Sequence, residues 1–223
     1  MKTRLLLLCG MVSFGLAATA PAERECRIRG LALQAGVPAT VRVTEAEAKD
    51  TAGVIQVKSF LNHEFDTLKL KGDRLVFTDD ANPGAEALGS CDLPAKAVSV
   101  ILVFVPEGPG KTACKVVAVE DGAKAFAAGS FKVVNLSSLA VKIELEKKPF
   151  EFQPGEIRSI EDPPVGATQS SGMRGYCLRD DKWQSFAAGI WPHPGTKRVL
   201  QVLTENPVTK QVEMKGVRDV AAP

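Results

Sequence analysis

No P-loop, no dinucleotide-binding glycine fingerprint and no G-x-S-x-G elbow occurs in the 223-residue chain. Nucleotide binding and hydrolase chemistry by those routes are therefore excluded. Histidine is almost missing. His63 sits in the turn-like Asn62-His63-Glu64 and His193 between Pro192 and Pro194, neither with a second ligand at metal-binding spacing. A copper sandwich would need His and Met close behind a late cysteine, and Cys177 has neither. Asp79-Asp80 with Asn82 could hold a hard cation, but the spacing is not that of a calcium loop and the composition is that of an ordinary turn. No metal, cofactor or catalytic set is expected.

Charge of one sign is missing as well. The formal net charge is +2, and cutting off residues 1–22 would remove Lys2 and Arg4 and leave none. A neutral chain has no overall field to gather nucleic acid, so nucleic acid is not an expected partner. Apolar runs long enough to span a bilayer are also lacking. The longest, Leu5–Ala17, is about the length of a signal-peptide core. Lys2 and Arg4 precede it and Ala18-Thr19-Ala20-Pro21-Ala22 follows, so residues 1–22 read as a signal peptide cut after Ala22. The product is expected in the periplasm or outside the cell, with no membrane span once the signal is removed.

Export leads to an oxidising compartment. Cys9 leaves with the signal, and Cys26, Cys91, Cys114 and Cys177 remain. Four cysteines allow three connectivities. A Cys91–Cys114 bond would need the intervening chain to double back almost fully extended, so Cys26–Cys91 is the expected pair, against the alternative of four buried thiols.

What is present is a sequence of short strands. The most apolar is Val98–Val105, Val-Ser-Val-Ile-Leu-Val-Phe-Val, closed by Pro106. Such a run reads as a central strand buried on both faces. Strands are expected around it at Pro38–Thr44, Val54–Phe60, Glu64–Leu70, Arg74–Thr78 and Ala113–Glu120, with Asp79–Pro94 as loop. The Ala- and Gly-rich stretch after Asp121 marks a domain boundary. Beyond it, strands are expected at Phe131–Leu136, Leu139–Leu145, Phe150–Phe152, Glu156–Glu161, Tyr176–Leu178, Lys182–Trp191, Val199–Leu203 and Gln211–Val217, with Gly166–Gly172 a loop. No convincing helical period exists in the mature chain. The predicted fold is all-β: two small antiparallel, Ig-like β-sandwiches at 23–124 and 125–219, with a tail at 220–223, a single large sandwich being the alternative.

Trp183 and Trp191 are eight residues apart on one predicted strand, so an unbroken strand puts both on one side. With the small Ser185, Ala187 and Gly189 between them, they could flank a trough for a sugar ring or a peptide. The competing reading, which we favour, puts both indoles in the sandwich core, with Trp183 the more buried. Asn135-Leu136-Ser137 has the form of a glycosylation acceptor, a weak three-residue match.

The run Ala125–Ser137, with Asn135-Leu136-Ser137, Pro154-Gly155-Glu156, Lys182-Trp183 and Arg218-Asp219, resembles a signature of exported bacterial β-sandwich proteins of unassigned function. The likeness spans roughly Val100 to Asp219. The strand and N-L-S segment also looks faintly like DUF4397-type extracellular domains, without their Asp-Ala-Pro continuation. The resemblance implies an envelope protein and brings no activity and no functional residues.

The function expected is a non-catalytic exported module that binds or scaffolds an envelope protein or polysaccharide. Glycan binding through Trp183 and Trp191 is one alternative. A carboxylate-dependent hydrolase is the other, and it would require two carboxylates about 5–10 Å apart in a cleft.

Overall fold

The computed structural model describes residues 23–47 and 51–219. The predicted signal peptide and the tail at 220–223 lie outside the described residues. Sixteen strands and no helix make up the described chain, so the all-β expectation holds.

The first eight strands are β1 (Arg24–Ala32), β2 (Thr40–Glu45), β3 (Thr51–Lys58), β4 (Asp66–Leu70), β5 (Arg74–Asp79), β6 (Gly89–Asp92), β7 (Ser99–Pro106) and β8 (Cys114–Glu120). They form one sheet in the order β6-β5-β2-β3-β1-β7-β8, with β4 also on β1. The sheet curls until its ends meet, where the Cys114 N–H donates to the Leu88 carbonyl at 2.5 Å. This half is thus a rolled sheet rather than the predicted two-sheet sandwich. Nor is it purely antiparallel, since β1 runs parallel to both β3 and β7.

The second eight are β9 (Phe131–Asn135), β10 (Val141–Leu145), β11 (Lys148–Phe152), β12 (Ile157–Ile160), β13 (Ser170–Arg179), β14 (Lys182–Pro192), β15 (Arg198–Glu205) and β16 (Val212–Asp219). They form two four-stranded sheets, β12-β9-β15-β16 and β11-β10-β13-β14. Here a sandwich is present, although β9 and β15 run parallel. The β10–β11 hairpin turns on Glu146-Lys147 and the β13–β14 hairpin on Asp180-Asp181, all four residues with positive φ. That conformation gives a two-residue hairpin loop the twist of its strands.

Three apolar layers follow from the strand alternation. Val100, Leu102 and Phe104 of β7 point into the rolled sheet with Ile28, Val41, Ile55 and Phe77. Ile101 and Val103 point the other way, onto Val134 and Leu136 of the β9 segment and Leu200 and Val202 of β15. Phe131, Val133, Val141, Ile143, Phe152 and Trp191 fill the sandwich itself. From Val100 to Phe104 the run read as the central strand is therefore paired on both edges and covered on both faces, because its second face is the seam between the two halves, while Val98 lies outside β7 and is exposed. A seam with its own apolar core resists relative motion of the halves.

Asn135 is part of this frame. It is inaccessible, its Nδ2 donates to the carbonyls of Leu139, Phe152 and Gln153, and its Oδ1 accepts from the Ser137 N–H and hydroxyl. The N-L-S triplet therefore ties β9 to the β10 and β11 segments. In the folded chain its amide is out of reach of a glycosyl group.

Candidate functional site

Four charged side chains meet at the seam. Arg29 lies on the outward face of β1, Asp121 follows β8, Arg198 opens β15, and Asp219 ends β16 opposite Arg198 in the ladder. Each half of the chain contributes one arginine and one aspartate. Arg29 holds Asp121 through Nε (2.9 Å) and Nη2 (2.7 Å), and Asp219 through Nη1 (2.9 Å) and Nη2 (2.8 Å). Arg198 Nη2 donates to Asp121 (3.0 Å) and to Asp219, and its Nη1 donates to the carbonyls of Asp121 and Phe126. The Phe65 ring lies against Arg29 and the Phe126 ring against Arg198, with the guanidinium carbons 5.1 and 4.6 Å from the ring centroids.

The arginine side chains are 3% exposed and the aspartates 0%. Burial alone would lower the pKa of Arg29. The hydrogen bonds and charges of Asp219 and Asp121 outweigh it and raise the guanidinium above its ordinary value. Both aspartates bind one Arg29 nitrogen, so their nearest oxygens are no more than about 5.5 Å apart, at or below the short end of the spacing of a glycosidase pair. They do not form the cleft that the hydrolase reading requires. Two guanidiniums fill the space between them and no face of either carboxylate is open.

A cleft of about 350 Å³ lies beside this cluster, lined by Arg29, Gln56, Lys58, Phe60, Asn62 and Glu64 among others. Its charged groups are already committed. Lys58 pairs with Glu64, holding that carboxyl below the usual range, and Asp66 accepts the Gln56 N–H at 2.7 Å. His63 is exposed in the adjoining loop, and the Nδ1 of His193 accepts the Gly195 N–H at 3.0 Å. Asp79 accepts the Ala81 N–H and Asp80 pairs with Arg42, so that segment is a turn. Among the described residues no group of three or more His, Cys, Asp or Glu could hold a metal.

The two tryptophans are not side by side. Gly175 faces Ala187 across the β13–β14 ladder, but Tyr176 faces Ser185, so Phe186 is an extra residue in β14. Phe186 and Ala187 both pack on the sandwich core. Phe186 lies so close over Gly175 that a Cβ there would sit 2.7 Å from its ring. This bulge reverses the parity of the strand. Trp191 opposes the buried Ser171, is 6% exposed, and packs on Phe131 with ring centroids 4.6 Å apart. Trp183 opposes Leu178 on the outer face and is only partly buried. The expected shared side, and the greater burial of Trp183, are both overturned. No two-tryptophan trough exists.

What Trp183 does meet is Lys142. The ammonium lies 4.5 Å from the Trp183 ring centroid and 4.9 Å from that of Tyr176, a cation held by two aromatic faces. Across this outer face the ladder sets Lys142 beside Glu151, and Glu144 beside Arg174. Ile190, 70% exposed, ends the row on β14. The face thus carries both signs of charge, an aromatic pair and an exposed aliphatic edge.

The cysteines differ from the expectation too. All four are free and buried. Cys26 on β1 and Cys91 on β6 are three strands apart by the shorter way round the rolled sheet. Cys177 is in the other half, inside the sandwich.

Compared with known proteins, the chain matches no family model and no curated protein.

Proposed function

We propose that this is a non-catalytic exported β module that binds or scaffolds a component of the cell envelope, with the outer face of β11-β10-β13-β14 as its contact surface. The observation that carries the reading is the Tyr176–Lys142–Trp183 stack on a face whose reverse side is packed core. Aromatic groups held rigidly at a surface supply contact area at low entropic cost. Mixed charges beside them give directional polar contacts without a net field. The resemblance to exported bacterial sandwich proteins supports the same class. A protein partner is favoured over a polysaccharide, because Lys142 covers the ring faces on which a sugar would stack and Trp191 is inside the core.

The test is a photo-crosslinking residue at Arg174, in the middle of the face, in a cell exporting the full chain. A matched control carries it at Val98, exposed on the other half. Adducts to a different envelope protein from position 174 and none from 98 are expected. No adduct from 174, or equal labelling from both, overturns the reading. Co-sedimentation with insoluble envelope polysaccharide that is lost in Trp183→Ala would replace it with glycan binding.

A further inference from the structure

The sandwich has four edge strands, and three are defended against pairing. β11 carries Lys148, Pro149 and Glu151, β12 has only four residues with Arg158 among them, and β16 carries Glu213, Lys215 and Arg218. Charge, proline and shortness are the usual protections of an edge. β14 is eleven residues long and has no charged residue between Lys182 and Pro192.

Its hydrogen-bonding phase can be read from the ladder. The His193 N–H donates to the Gln169 carbonyl across the β13–β14 register at 3.0 Å. By alternation Trp191, Gly189 and Ala187 turn their N–H and C=O groups to β13, while Ala188 and Ile190 turn theirs to the open edge. Pro192, with no N–H, falls at the next outward position and ends the run. Toward the N-terminus the bulge at Phe186 ends it. The open template is therefore Ala187–Trp191, with two outward-facing residues two apart.

We propose that the partner of this edge is the same edge of a second copy, paired antiparallel about a two-fold axis at Gly189. That register sets Ala188 opposite the second copy's Ile190 and the reverse, so both outward residues of each copy exchange N–H and C=O, making four backbone hydrogen bonds. Gly189 meets its own copy at the closely spaced, non-bonded position, where a residue without a side chain fits best. Each exposed Ile190 lies across from the small Ala188 on the outer face and is covered. The lysines at position 182 fall at opposite ends, so no like charges meet. The two outer sheets become one of eight strands, a two-fold joining of like surfaces. This goes beyond the proposed function and does not depend on it, since its readout is the mass of the purified protein.

The test is sedimentation equilibrium of the purified chain from about 10 µM to about 1 mM, a range set by the small number of contacts. A concentration-dependent dimer is expected. Ala188→Pro removes an N–H that faces outward and makes no bond to β13, so it should give a monomer with an unchanged melting temperature. Ile190→Lys, which places a charge on the same edge, should also give a monomer and serves if the proline variant misfolds. Gly189→Cys should form a covalent dimer on mild oxidation, suppressed in Gly189→Cys/Ile190→Lys. A wild-type protein monomeric throughout the range, or a dimer that survives both edge substitutions, overturns the proposal.

Discussion

The carboxylates of Asp121 and Asp219 come from different halves of the chain and are gripped by the same two guanidiniums, Arg29 and Arg198. Each half brings a balanced pair, Arg29 with Asp121 and Arg198 with Asp219, and docking adds the cross pairs Arg29–Asp219 and Arg198–Asp121. The quartet therefore acts as a register mark. The apolar seam around Ile101, Val103, Val134, Leu200 and Val202 is non-directional, whereas the cross-half pairs Arg29–Asp219 and Arg198–Asp121 are directional and form where the halves meet in this register.

That arrangement predicts an asymmetry between removing one charge and removing several. Asp219→Ala leaves two buried guanidiniums sharing one carboxylate and is expected to cost about 3–5 kcal/mol in denaturant unfolding. The double variant Arg29→Met/Asp219→Ala keeps the remaining pair balanced, so it should cost less than the sum of its single changes. Additive losses in such a cycle would show that the four groups do not act as a unit.

The tryptophans give a second contrast. Trp191→Ala empties a site beside Phe131 and should cost about 3–5 kcal/mol, a large share of a domain's stability. Trp183→Ala loses partial packing and a cation–π contact and should cost about 1 kcal/mol. Fluorescence of the parent should divide accordingly, with iodide quenching Trp183 and sparing Trp191. Equal melting temperatures for the two variants would contradict the assignment of faces.

Most strands could be read from the sequence because their alternation is local. β7 needed only its apolar run, and Leu139–Leu145 only its in-out period. Partner choice was not local. Nothing in β1 announces that its two long neighbours run parallel to it, and β6 reads as loop in the sequence because Gly89-Ser90-Cys91-Asp92 has no apolar period and is held by its pairing in the rolled sheet. The bulge at Phe186 defeated the reading of the tryptophans for the same reason. Its signal is the hole left by Gly175 on the neighbouring strand, visible only once the two are paired. The charge quartet was invisible because its members, spread from residue 29 to 219, converge only across the seam. The outer-face trio is half legible: Trp183 stands out in the sequence, but Lys142 and Tyr176 join it only through the β10–β13 register.

The cysteines yield the last prediction. Burial raises the thiols of Cys26, Cys91 and Cys114, and Cys91 is pushed up to about 12 by burial with the nearby Asp92 charge adding to it. Thiolate is the reactive form, so the native protein should react slowly with a thiol reagent near pH 8 and titrate four thiols of residues 23–219 in denaturant. The same shift has a sign in stability. Below the unfolded value near 9 the Cys91 thiol is protonated in both states and its contribution is fully present. As pH rises from 9 toward 12 the unfolded thiol ionises while the folded one keeps its proton, so stability falls across that window. Cys91→Ala, which removes the group, should flatten that part of the alkaline decline relative to the parent. Denaturant midpoints from pH 8 to 11 would check this. A parent and variant with parallel profiles, or a native protein whose mass reports a lost pair of thiol hydrogens, would contradict a free, buried Cys91.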